Sequence, residues 1–134
     1  MDNLKFRVYV KSYKMMAYDV TSINFEAKTV ECHLVTSEEG DPSEFEFDEV
    51  EIMQWTGKKD KKGEDIYDGD VVRVKSSDGF YDRIYYIKWN SEATEWSLYS
   101  KYDEPRLPLG TCIKRCKIIG NLHESPNLLS ELSK

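Results

Sequence analysis

A chain of 134 residues with 40% apolar and 13% aromatic residues is long enough to bury a core, and too rich in large side chains to stay disordered. Nine Tyr, five Phe and three Trp stand beside nine Val and only three Ala, a composition that leans to β-structure. The net charge of −6 disfavours general binding to duplex phosphate, and the absence of any long apolar run argues against a signal peptide or membrane span, so a cytoplasmic chain with three reduced cysteines is expected.

In chain order, Leu4–Val10 alternates apolar and polar residues as a half-buried strand does. Lys11–Lys14 reads as a turn, and Met15–Tyr18 as the returning arm of a hairpin. Thr21–Glu26 and Thr29–Val35 form a second pair around Ala27-Lys28, followed by a loop at Ser37–Ser43. Glu44–Trp55 reads as one strand, but Phe45 and Phe47 sit on odd positions while Val50 and Ile52 sit on even ones. A period of two cannot change parity without an extra residue, so a β-bulge or bend is predicted at Asp48-Glu49.

Thr56–Asp70 is a turn-rich connector with Gly57, Gly63 and Gly69, in which Asp60 and Asp68 suit tight turns. Trp55, Ile66 and Tyr67 bracket it with apolar surface and predict that it packs against the body of the protein. Four further strands follow at Val71–Lys75, Arg83–Trp89, Glu95–Lys101 and Lys114–Ile119, with a loop at Pro105–Gly110. Short strands at this spacing, without strand–helix alternation, suggest a small SH3-like barrel. Ser125 and Pro126 open one short C-terminal helix over Asn127–Leu132. The expected fold is mostly β, with an N-terminal unit of hairpins (1–55), the connector (56–70), and a small barrel-like unit with a C-terminal helix (71–134).

The charge is unevenly placed. No Lys or Arg lies between Lys28 and Lys58, a stretch that holds Glu31, Glu38, Glu39, Asp41, Glu44, Glu46, Asp48, Glu49 and Glu51. Such a run is a solvated sheet face, a docking face for a basic partner, or a nucleic-acid mimic. Glu38, Glu39, Glu44, Glu46, Glu49 and Glu51 are the candidate partner-binding residues. Lys58, Lys59, Lys61 and Lys62 form the one basic cluster, with Trp55, Tyr67 and Tyr81 near it in sequence, and are the candidate nucleic-acid contacts. Neighbouring acids nearly cancel that charge.

Nothing in the sequence builds a catalytic or metal site. Cys112 and Cys116 form a CxxxC pair, but Cys32 and His33 are adjacent on a strand and point to opposite faces, so a zinc set is not assembled. His33 and His123 lack a nucleophile in their sequence context. Glu64, Asp65, Asp68 and Asp70 lack calcium-loop spacing. No cofactor is expected.

Several blocks, in order along the chain, carry a resemblance: Lys5-Phe6-Arg7, Ile23-Asn24-Phe25, the run Met53–Gly63, the run Ile66–Val72, and the run Ile119–Leu129. On these blocks the chain resembles the YopX family of small proteins encoded by phages and prophages of Gram-positive bacteria. Val8-Tyr9-Val10 departs from the family's usual Ala-Trp-Asp, and Trp55 stands where Tyr is common. The resemblance implies a phage setting in a host cell and supplies no activity. The first expectation is therefore a non-enzymatic binding or assembly module, homo-oligomeric or bound to a host or phage protein. The alternatives are a nucleic-acid-associated regulator using the connector lysines with Arg73, Lys114, Arg115 and Lys117, or an acidic decoy for a host protein.

Overall fold

The structure is a computed structural model that describes residues 4–34 and 42–134. Most of the predicted loop at 37–43, with Glu38 and Glu39, lies outside the described residues. The chain forms two compact units, 1–54 and 55–134, each with its own core.

In the first unit, β1 (Phe6–Val10) pairs antiparallel with β2 (Met15–Ala17) across the Lys11–Lys14 turn. On its other edge β1 pairs with β6, which spans Val50–Lys59, in the register Phe6↔Gln54 to Val10↔Val50. A second sheet has the order β3-β4-β5, from Asp19–Asn24, Thr29–His33 and Ser43–Glu46. The alternation read in the sequence turns Val8, Val10, Val30, Cys32, Phe45 and Val50 inward, and these residues form the core. The parity change between Phe47 and Val50 is absorbed by a 3-10 turn at Phe47–Glu49, so the predicted strand is two strands, β5 and β6, joined by a bend. Glu49 Oε1 accepts from the Glu46 N–H at 3.1 Å and fixes that bend.

The second unit contains a curled five-stranded antiparallel sheet, half a barrel in form, in the order β11-β10-β9-β8-β12. Its strands are β8 (Asp70–Lys75), β9 (Asp82–Asn90), β10 (Glu95–Tyr99), β11 (Pro105–Pro108) and β12 (Cys116–Asn121). Ile66, Val72, Val74, Tyr85, Ile87, Leu98, Leu109, Cys112 and Cys116 fill its core. Ile66 belongs to β7 (Asp65–Tyr67), which pairs with the second half of β6 through Trp55↔Tyr67 and Lys59↔Asp65. The connector is therefore largely a hairpin, and its apolar residues Ile66 and Tyr67 are buried as expected.

Three elements differ from the sequence reading. Pro105–Gly110 is not a loop: β11 runs to Pro108, and one α-helical turn, α1, follows at Leu109–Cys112. Proline is tolerated there because β11 is an edge strand, with no second neighbour needing its missing N–H. The short C-terminal helix is of the 3-10 type, Pro126–Glu131. Ser125 precedes it without capping it through its side chain. A Cβ on Gly120 would lie 2.6 Å from both Leu128 Cδ1 and Ser125 Oγ, so glycine lets this segment lie close on β12.

Candidate functional site

One buried carboxylate brings two connector lysines against the basic residues of β8 and β12. Asp60 closes the turn between β6 and β7: its Oδ1 accepts from the N–H groups of Lys62 and Glu64, each at 2.9 Å. Its Oδ2 accepts from the Ile118 N–H at 2.9 Å, in β12. The Lys61 N–H donates to the Cys116 carbonyl at 2.9 Å. A residue only 6% exposed thus satisfies three backbone donors and docks the turn that carries Lys61 and Lys62 onto β12.

The register of β12 completes the arrangement. Lys117 lies directly opposite Arg73 on β8, and Lys75 and Arg115 flank the next pair, Cys116↔Val74. Lys114 precedes Arg115 in a 3-10 turn. Arg73 is engaged by Asp82, with Nε at 2.8 Å from Oδ1 and Nη2 at 2.5 Å from Oδ2. That hydrogen bonding holds the Asp82 carboxyl below the usual carboxylate range. Lys61, Lys62, Lys75, Lys114, Arg115 and Lys117 form no ion pair among the described residues. All six are exposed.

The lysine cluster predicted as a nucleic-acid contact is therefore divided. Lys59 is taken by Asp65 at 2.8 Å. Lys61 and Lys62 join the cationic edge. Lys58 instead lines a cleft of about 400 Å³ with Trp89, Trp96, Pro108 and Thr111. The aromatics expected near the lysines are differently used: Tyr67 is buried, and the Trp55 indole N–H donates to the Lys58 carbonyl at 3.1 Å. The Trp89–Trp96 pair did not emerge from the sequence, although two Trp flanking the Asn90–Thr94 turn were a readable signal. The hairpin register sets them opposite each other, edge to face at 5.4 Å between ring centres.

The acidic residues lie in the first unit. Glu44, Glu46, Glu49 and Glu51 are exposed. Glu44 stands directly opposite Glu31 across β4 and β5, and neither forms an ion pair among the described residues. Glu51 meets Lys11 at 3.5 Å. The carboxylates of Glu46, Asp48 and Glu49 lie within 4.8 Å of one another. Glu49 is already committed to the backbone there, which accounts for part of the cluster.

All three cysteines are free and buried. Burial pushes the Cys112 thiol up to about 11 and, with the nearby Cys112, Asp60 and Asp70, the Cys116 thiol up to about 12. Thiols so disfavoured as thiolates are poor nucleophiles at neutral pH. Asp70 has a structural role as well, its Oδ2 accepting from the Tyr67 N–H at 2.8 Å in the turn before β8. No helix among the described residues is long and apolar enough to cross a membrane.

Comparison with known proteins bears on both fold and family. The crystal structure of protein EF1440 from Enterococcus faecalis superposes with a TM-score of 0.66 at 23% identity, over 94% of this chain and 97% of that one. Similarity at this level shows a shared fold. No curated protein matches the chain. A family model described as YopX protein matches residues 5–130, nearly the whole length. The chain belongs to the YopX protein family.

Proposed function

We propose that this YopX protein is a non-enzymatic binding module of a phage or prophage programme inside the host cell, and that its second unit engages nucleic acid. The observation that carries the reading is the set of six exposed cations without ion pairs, held together by Asp60 and the β8–β12 register. A protein gains little stability by keeping cations of one sign adjacent; a polyanion is the partner that makes such an edge favourable. The net charge of −6 does not oppose this, because it is a property of the first unit. Residues 1–54 carry five basic and twelve acidic side chains, whereas residues 55–134 carry fourteen basic and thirteen acidic ones. The burial of all three thiols supports the non-enzymatic part of the reading.

Fluorescence anisotropy with a labelled single-stranded 20-mer tests it. If about four phosphates are neutralised, affinity falls about 50-fold between 50 and 200 mM salt. The variant carrying Lys61→Glu, Lys62→Glu, Lys114→Glu and Lys117→Glu should lose binding. No binding by the unaltered chain at 20 mM salt would remove the reading.

The Glu31–Glu44 pair favours a second reading for the first unit, a docking face for a basic protein surface. A second copy of the chain is one source of such a surface. Light scattering at 20 mM salt would then show an oligomer that dissociates at 500 mM. A monomer mass at both salts removes that version.

A further inference from the structure

The cleft beside the cationic edge differs from it in chemistry. Trp89 is 46% exposed and meets Trp96 in a T-shaped contact at an interplanar angle of 74°. That T-shaped contact occupies one part of the ring system and leaves indole surface open to the cleft. Pro108 and Thr111 line the cleft with them, and its two charged residues, Lys58 and Glu95, cancel. The lining is therefore aromatic and neutral, which suits a flat, uncharged ring and does not suit a phosphate.

The surroundings supply the charge that the cleft lacks. Lys58 stands three residues before Lys61 on the same hairpin, at most about 10 Å away along an extended chain. On the other side, Thr111 is shared with a second cleft of about 280 Å³ lined by Tyr81, Cys112 and Arg115. Arg115 belongs to the cationic edge. An open indole with cations of one continuous edge within a few residues on two sides is the combination that single-stranded nucleic acid requires: stacking for the base and charge for the backbone. A duplex keeps its bases stacked on one another and offers such a cleft nothing.

We propose that the Trp89–Trp96 cleft holds an unpaired nucleobase of a single strand whose phosphates run along Lys61, Lys62 and Arg115. This deepens the nucleic-acid reading above and rests on it. The two fail in different ways. In a titration of intrinsic tryptophan fluorescence at 50 mM salt, oligo(dT)12 should quench the unaltered chain and bind at least about tenfold more tightly than a 12-base-pair duplex. Trp89→Ala should weaken oligo(dT)12 binding about tenfold, in line with the loss of one stacked base, and leave duplex binding and the salt dependence unchanged. Trp89→Phe should restore most of the single-strand affinity, and its thermal melt should match that of the unaltered chain. If Trp89→Ala binds both probes as the unaltered chain does, the cleft is not the base site although the cationic edge stands. If neither probe binds, both proposals fall. If a proline-rich peptide quenches and oligo(dT)12 does not, the cleft takes a peptide and the assignment is wrong.

Discussion

Each unit sets two like charges opposite each other on neighbouring antiparallel strands, and the two pairs have opposite sign. In the first unit Glu31 faces Glu44; in the second Arg73 faces Lys117. Like charges at such positions cost stability, typically a few tenths to 1 kcal/mol. The second unit relieves its pair with the two-point contact from Asp82 to Arg73, whereas the first has no comparable base beside its glutamates among the described residues. The difference teaches that a net charge of −6 is an average over two units of different charge. On the reading proposed above, a polyanion is repelled by the first and met by the second, and whole-chain charge is then a poor guide to binding.

The cores differ in the same division, and the largest effects are expected there. The first core rests on Val8, Val10, Val30 and Val50, the second on Ile66, Ile87, Leu98 and Leu109. Ile66→Ala should cost about 4 kcal/mol, because Ile66 is fully buried and the substitution opens a cavity within the cluster. Val30→Ala removes less volume and should cost about 2 kcal/mol. All three tryptophans, Trp55, Trp89 and Trp96, lie in the second unit. Fluorescence therefore follows that unit alone during urea unfolding, while far-ultraviolet circular dichroism follows both. Ile66→Ala should lower the fluorescence midpoint, and Val30→Ala should leave it in place while shifting the dichroism curve. Equal shifts of both signals by Val30→Ala would mean that the two units unfold as one, and the comparison would have to be restated for a single cooperative body.

Between the two core substitutions in size is Asp60. Asp60→Ala leaves three backbone N–H groups without their acceptor, in the turn and in β12. The expected cost is about 3 kcal/mol, about 1 kcal/mol for each part-buried donor left without its acceptor. It should also weaken single-strand binding at 50 mM salt, measured by anisotropy at a temperature where the variant is folded, because Lys61 and Lys62 lose their fixed place beside Lys117. A stability loss with unchanged affinity would show that the turn lysines contribute nothing to the cationic edge.

The strands were legible because alternation of apolar and polar residues is local, and the parity break at Asp48-Glu49 located the bend between β5 and β6 for the same reason. The Pro105–Pro108 strand was not, since proline argues against a strand unless its edge position is known. The site was legible as residue types and illegible as geometry. Arg73, Lys114, Arg115 and Lys117 can be named beside the connector lysines from the sequence. What unites them is a contact between Asp60 and Ile118, which no local pattern announces. Likewise Lys59 is adjacent to Lys58 in sequence, yet pairing with Asp65 removes it while Lys58 reaches the cleft.

The smallest effect is the most direct measure of the contrast between the units. Glu44→Gln removes the repulsion from Glu31 without changing the shape of the side chain, and should stabilise the protein by about 0.5 kcal/mol at low salt. Lys117→Gln should stabilise by less, because Asp82 already offsets the charge of Arg73 opposite it. Both gains should shrink as salt rises toward 1 M, where screening acts within about 3 Å. Glu44→Gln should leave single-strand affinity almost unchanged, whereas Lys117→Gln should lower it and reduce the slope of log affinity against log salt by about 0.7, the share of one phosphate contact. Stability gains of equal size at the two positions would show that Asp82 does not relieve its strand neighbours, and an unchanged slope for Lys117→Gln would take Lys117 out of the edge that meets the phosphates.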